Sequence, residues 1–190
     1  DHRDLHSFPT RRSSDLACKV KNLLEKGVNV SLAVDGSASN NSSNMLDEAR
    51  TALLLQRVSF GADALSATQV LEMATLGGAR VLRRDDIGVI APGKAADIIG
   101  VDTRKISFAG GLHDPVAALV LCSSGQVDLS MVNGKILVSR GQLVGVDLPA
   151  LIDRQNKLAK DLVTRTEKRY NTTMNYPIWR KAFPYEKLKD

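Results

Sequence analysis

The sequence predicts an α/β fold on three observations. A helical pattern at 18–26 leads into a run of alternating residues at 28–34, and another helical pattern follows at 44–57. Helix, strand and helix in that order suggest α/β repeats on a parallel sheet. After residue 85 the texture changes to short β-prone runs broken by Gly88, Pro92-Gly93 and Asp102, which predicts a small antiparallel β unit.

In the first helix, Val20, Leu23 and Leu24 share a face and Gly27 stands at its end. In "VNVSLAVDG", Val28, Val30, Leu32 and Val34 alternate with Asn29, Ser31 and Ala33, the period of a strand. That alternation places Asp35 on the face of Asn29, Ser31 and Ala33. In an α/β barrel this face looks at the barrel axis, and the C-terminal end of a strand is where barrel active sites form. The next helix carries an apolar stripe of Met45, Leu46, Ala49, Ala52 and Leu53. Asn44 is its expected N-cap, with Asp47 and Glu48 in the first turn, where the helix dipole favours them.

Ser66 and Gln69 form a capping box for a helix running to about residue 77, where Gly77-Gly78 is expected to stop it. Asp114 and Pro115 read as the N-cap and first position of a short helix. Asn133-Gly134 between two apolar runs is a strong hairpin signal. A polar helix is expected at about 150–168. The resulting division is a leader at 1–16, barrel elements at 17–84, a β-sandwich part at 85–148 and a C-terminal helix with basic tail at 149–190.

Residues 6–16, "HSFPTRRSSDL", resemble a common synthetic sequencing-adapter oligonucleotide read in frame. Residues 1–16 are therefore set aside as non-native, and the remainder is expected to be a C-terminal fragment beginning near Ala17. Hydrophobic content of 43% suffices for a core. No apolar run approaches the roughly 20 residues that span a bilayer, and Cys18 and Cys122 supply no disulfide framework. A cytoplasmic setting is the expectation. The net charge of +5 sits in the tail, because residues 153–190 carry ten Lys/Arg against five Asp/Glu. No nucleic-acid-binding motif accompanies it, so neither nucleic acid nor membrane is expected as a partner.

Taken together, "VSLAVDGSASNNSSNMLDEARTALLLQR", "MATLGGARVL", "IGVIAPGKAADIIGVD" and "VNGKILVSRGQLVGVD" resemble the metal-dependent amidohydrolase superfamily. They match its last barrel strand and helix, its exit from the barrel, and the closing hairpin of its sandwich domain. "GSASNNSSN" and "HDPVAALVLC" are most similar to the branch of 8-oxoguanine deaminases, hydroxytriazine aminohydrolases and guanine deaminases. The resemblance implies the C-terminal part of an eight-stranded, TIM-like α/β barrel with part of a small β-sandwich. It implies hydrolytic deamination of a purine or triazine ring, with water as co-substrate and ammonia as product. The oligomeric state stays open, a homo-oligomer included.

The resemblance also implies one divalent metal, zinc with iron as the other option, and makes Asp35 a metal ligand and proton carrier. Gly36 would allow a tight turn, and Ser37, Ser39 and Asn40 would orient the carboxylate or face the substrate. Asp-Gly after a strand is also a common turn, and these polar residues also suit helix entry. His113 reads as a loop or interface residue that could reach substrate in the intact protein. Cys122 reads as packed and inert, and Gly88, Gly93 and Asp97 as sandwich geometry. The His-x-His pair, the two later histidines and the acidic proton shuttle of the superfamily have no counterpart here. His2 and His6 lie in the leader. The chain alone is expected to be inactive, since one carboxylate does not make a zinc site. The competing reading is a short non-catalytic binding or structural protein.

Overall fold

A computed structural model of the chain describes residues 18–36, 40, 42–123 and 125–174. The chain forms two units, 1–144 and 145–190. The expected non-native leader and the last residues of the basic tail lie outside the described residues.

The first unit opens with helix α1, Val20–Glu25. Its end is closed by Val28 N–H on the Leu23 carbonyl (3.0 Å) and Gly27 N–H on the Leu24 carbonyl (2.9 Å), the paired bonds of a Schellman turn. Helix α2, Met45–Phe60, starts where expected. Asn44 caps it by accepting from Leu46 N–H, and Asp47 and Glu48 occupy its first turn. Leu46, Ala49 and Leu53 are buried along its inner face. So is Gln56, which accepts from Lys21 N–H at 3.1 Å and donates to the Cys18 carbonyl at 2.8 Å. Those two bonds satisfy a buried amide and fix the start of α1 on α2.

The Ser66–Gln69 capping box forms as read. It opens α3, Ala67–Glu72, which runs on through a π turn at Met73–Gly77 into α4, Gly78–Val81. The expected stop at Gly77-Gly78 is therefore corrected: the helix passes through both glycines. Tertiary crowding explains Gly77. A Cβ there would lie 2.5 Å from the Val30 carbonyl oxygen, so only glycine lets the two backbones approach this closely.

The strand expected at 28–34 does not form. Among the described residues this segment has no sheet partner, and a strand exists only as part of a ladder. Two of its apolar residues nevertheless go where the alternation sends them, while Val28 stays exposed. Val30 and Leu32 pack on a core built from Val20, Ala49, Leu53, Leu65, Val70, Met73 and Val120. Leu32 N–H donates to the Met73 carbonyl (3.2 Å) and Asn29 Nδ2 to the Gly77 carbonyl (3.1 Å). Asn29 thus turns to the helix instead of joining the face expected for Asp35.

The β region is sparser than the sandwich part expected at 85–148. Strands β1 (Ile98–Gly100), β2 (Leu129–Val132), β3 (Lys135–Ser139) and β4 (Gln142–Leu143) form an antiparallel sheet in that order. Asn133-Gly134 makes the two-residue turn between β2 and β3, with φ of 47° and 77°, the signs a type I′ turn demands. Between β1 and β2 lies α5, Pro115–Cys122, capped by Asp114, which accepts from Ala117 N–H at 2.9 Å. Val120 of α5 is fully buried in the core shared with α2 and α3. Arg50 of α2 donates to the Val120 carbonyl at 2.9 Å and to the Ser123 carbonyl, occupying carbonyls that the end of α5 leaves without helical partners.

The second unit contains α6, Leu148–Tyr170, capped by Asp147 and ended by Asn171 in the left-handed region. None of its residues is buried. No helix among the described residues is long and apolar enough to cross a membrane.

Candidate active-site loop

Asp35 follows the core-packed segment directly and is exposed. Its φ is 59°, in the left-handed region that aspartate enters more readily than most side chains. Its Oδ1 accepts from Gly36 N–H at 2.7 Å, and the Gly36 carbonyl accepts from Asn40 N–H at 3.0 Å. The Asn40 side chain uses both ends. Oδ1 accepts from Ser42 N–H (2.9 Å) and Ser43 N–H (2.8 Å), while Nδ2 donates to Glu48 Oε1 at 2.6 Å. The structure thus brings Asp35 and Asn40 together around Gly36. Ser37 and Ser39 lie outside the described residues.

His113 is exposed, in the connection before α5, with Nδ1 3.3 Å from the Gly110 carbonyl. Cys122 is partly buried and carries a free thiol. Glu48 has a second role that sequence reading missed. Its position in the first turn of α2 explains its charge without reference to the loop, and no local pattern links it to Asn40.

Perturbed carboxyls occur in the loops that flank β1 and lead into β2. Hydrogen bonds from the Arg104 side chain and then its backbone N–H push Asp102 down to about 2. Asp128 is lowered by the backbone N–H of Asp102 and next by Lys105, whose ammonium lies at 2.8 Å. Asp86 is lowered first by its hydrogen bond from Arg84. Each shift has a cation or backbone donor that anchors a loop. Asp97 is likewise a tie, accepting from Asn133 N–H at 2.7 Å.

Among the described residues no three His, Cys, Asp or Glu side chains are grouped to hold a metal ion. A zinc site takes three or four protein ligands, so the described residues do not fit a complete metal centre. Asp35 could supply one oxygen ligand and no more.

The chain matches the sequence model of the Amidohydrolase family over residues 5–137 and belongs to that family. The match begins inside the stretch read as a leader. The chain is 44% identical over 146 residues to an 8-oxoguanine deaminase of Pseudomonas aeruginosa, covering 77% of this chain and 32% of that protein. It is 45% identical over 125 residues to a 5'-deoxyadenosine deaminase of Methanothermobacter thermautotrophicus, covering 65% and 29%. It superposes on an adenosine deaminase from Xanthomonas campestris with bound zinc at a TM-score of 0.72 and 34% identity, over 80% of this chain and 36% of that one. A variant of atrazine chlorohydrolase from Arthrobacter aurescens TC1, complexed with zinc and atraton, aligns at 0.69 and 33%, over 76% and 34%. The chain spans about a third of the length of these relatives. The amidohydrolase likeness supports the α/β class.

Proposed function

We propose that this chain is the C-terminal part of a metal-dependent aminohydrolase that removes an amino group from a purine or triazine ring, and that Asp35 is its catalytic carboxylate. An 8-oxoguanine-like ring is the substrate favoured by the sequence likeness. The observation that carries the reading is the placement of Asp35. It stands where the segment packed on the helical core ends, at a turn closed by its own backbone and by Asn40.

Zinc, which two of the solved relatives hold, would supply electrophilic activation of water when bound. Its remaining ligands would come from outside the described residues. The part assigned to this chain is narrower. Asp35 accepts a proton from the attacking water and returns it to the departing amine. Asn40 is assigned to loop geometry, because its side-chain oxygen and nitrogen are both engaged by protein partners. His113 is assigned to the connection before α5.

The test is a chimera. Residues 18–137 replace the matching segment of the Pseudomonas aeruginosa 8-oxoguanine deaminase, and ammonia release from 8-oxoguanine, guanine and a hydroxytriazine is measured alongside bound zinc. The chimera is expected to be active. Asp35→Asn should reduce turnover at least roughly 10³-fold, since acid–base steps are worth about 10²–10⁴-fold each. An Asp35→Asn chimera that keeps its zinc and more than a tenth of its turnover would refute the role.

A further inference from the structure

We propose that Glu48 is a positioning residue for Asp35. The proposal rests on the reading of Asp35 as the catalytic carboxylate, and it stands on a path of bonds. Glu48 Oε1 accepts from Asn40 Nδ2 at 2.6 Å. Asn40 N–H holds the Gly36 carbonyl at 3.0 Å. Gly36 N–H in turn holds Asp35 Oδ1 at 2.7 Å. Each link joins the next through one residue, so the carboxylate of Glu48 is coupled to that of Asp35.

The two ends of this path differ in rigidity. Glu48 lies between Leu46 and Ala49, both buried, and the helix that carries all three is anchored to α5 by Arg50. Asp35 is exposed and sits at a φ of 59°, a conformation costly for a residue with a Cβ. Such a residue keeps its geometry only when neighbours over-determine it. Asn40 supplies that restraint because its side chain bridges two things at once. Its oxygen gathers the Ser42 and Ser43 amides at the entry to α2, while its nitrogen reaches the helix. Rotating the amide to satisfy one end would break the other. Glu48 selects the orientation, since a carboxylate accepts from Nδ2 and repels the amide oxygen.

The experiment is amide hydrogen exchange by NMR on the full 190-residue chain, comparing wild type, Glu48→Gln and Glu48→Ala. Leu53, buried in α2, serves as the internal reference for global opening. Glu48→Ala is expected to speed exchange at Gly36, Asn40, Ser42 and Ser43 by about tenfold or more relative to Leu53, the population change expected on losing a hydrogen bond to a charged group. Glu48→Gln retains an acceptor oxygen and should stay within about threefold of wild type. It also removes the helix-dipole charge, so rescue by glutamine separates positioning from helix stability. Exchange at Gly36 and Asn40 unchanged in Glu48→Ala, or equally raised in both variants, would overturn the proposal. In the chimera, Glu48→Ala should lower turnover about tenfold or more, with Glu48→Gln restoring most of it. Altered exchange with unaltered turnover, in a chimera that Asp35→Asn still inactivates, would overturn the positioning role and leave the reading of Asp35 standing; retained turnover in Asp35→Asn would refute that reading instead.

Discussion

A methyl group added at Gly77 would stand 2.5 Å from the carbonyl oxygen of Val30. That distance is far inside van der Waals contact, and the obstacle is backbone, which cannot rotate aside. Gly78, its neighbour in the same helix, faces open space. The pair therefore separates two effects of glycine. Gly77→Ala should destabilise the chain by about 1–3 kcal/mol through overpacking. Gly78→Ala should stabilise it by about 0.5–1 kcal/mol through helix propensity. Urea unfolding of both variants checks this, and shifts of the same sign would contradict the close approach.

Arg50 is expected to be the main polar tie between α2 and α5. Arg50→Ala leaves the Val120 and Ser123 carbonyls without a charged donor and should cost about 1.5–3 kcal/mol. Arg50→Lys should recover only part of this, because an ammonium lacks the planar fork that reaches both carbonyls. Full recovery by lysine in thermal unfolding would show that charge alone matters there.

The Asp102 carboxyl, held at about 2 by Arg104, predicts an acid-limb effect. A carboxyl lower in the folded chain than in the unfolded one stabilises the fold above its unfolded value, near 4. The contribution is lost as pH falls toward about 2. The gap in unfolding midpoint between wild type and Asp102→Asn should thus be full at pH 6 and narrow between about pH 4 and 2. Arg104 is largely exposed, so 1 M salt should shrink the gap as well. A gap that widens on acidification would contradict the assignment.

The turn at Asn133-Gly134 should tolerate change unequally. Gly134→Ala places a Cβ at a φ of 77° and should cost about 1–2 kcal/mol. Asn133→Gly should stay within about 0.5 kcal/mol, since both residues suit this turn. Comparable losses at the two positions in urea unfolding would argue against the type I′ geometry.

What was legible in the sequence divides by range. Asn44, Ser66 with Gln69, Asp114 with Pro115, and Asn133-Gly134 act within a few residues of themselves, and each appears where its pattern places it. The run at 28–34 needed strands that no described residue supplies, so its burial was readable and its ladder was not. Gly77 carried the wrong message. A glycine demanded by a backbone 47 positions away looks identical to one that ends a helix. In the candidate site, Asp35 was accessible from the strand pattern and the family likeness together. The bond between Asn40 and Glu48 spans eight residues across a loop, with neither a helical nor a strand period to announce it.

The π turn at Met73–Gly77 also sets angular phase. Val70 and Ala79 are both buried, yet they are nine residues apart. At about 100° per residue an unbroken α-helix would carry them through about 900° and leave them back to back. One extra residue in the wide turn removes roughly 100° of that rotation, so they end about 80° apart instead of 180°. Deleting one residue between 73 and 77 would therefore preserve the direction of Ala79 while tightening the turn. Regularising the same turn with every residue retained would swing Ala79 away from Gly88, the glycine it now packs beneath.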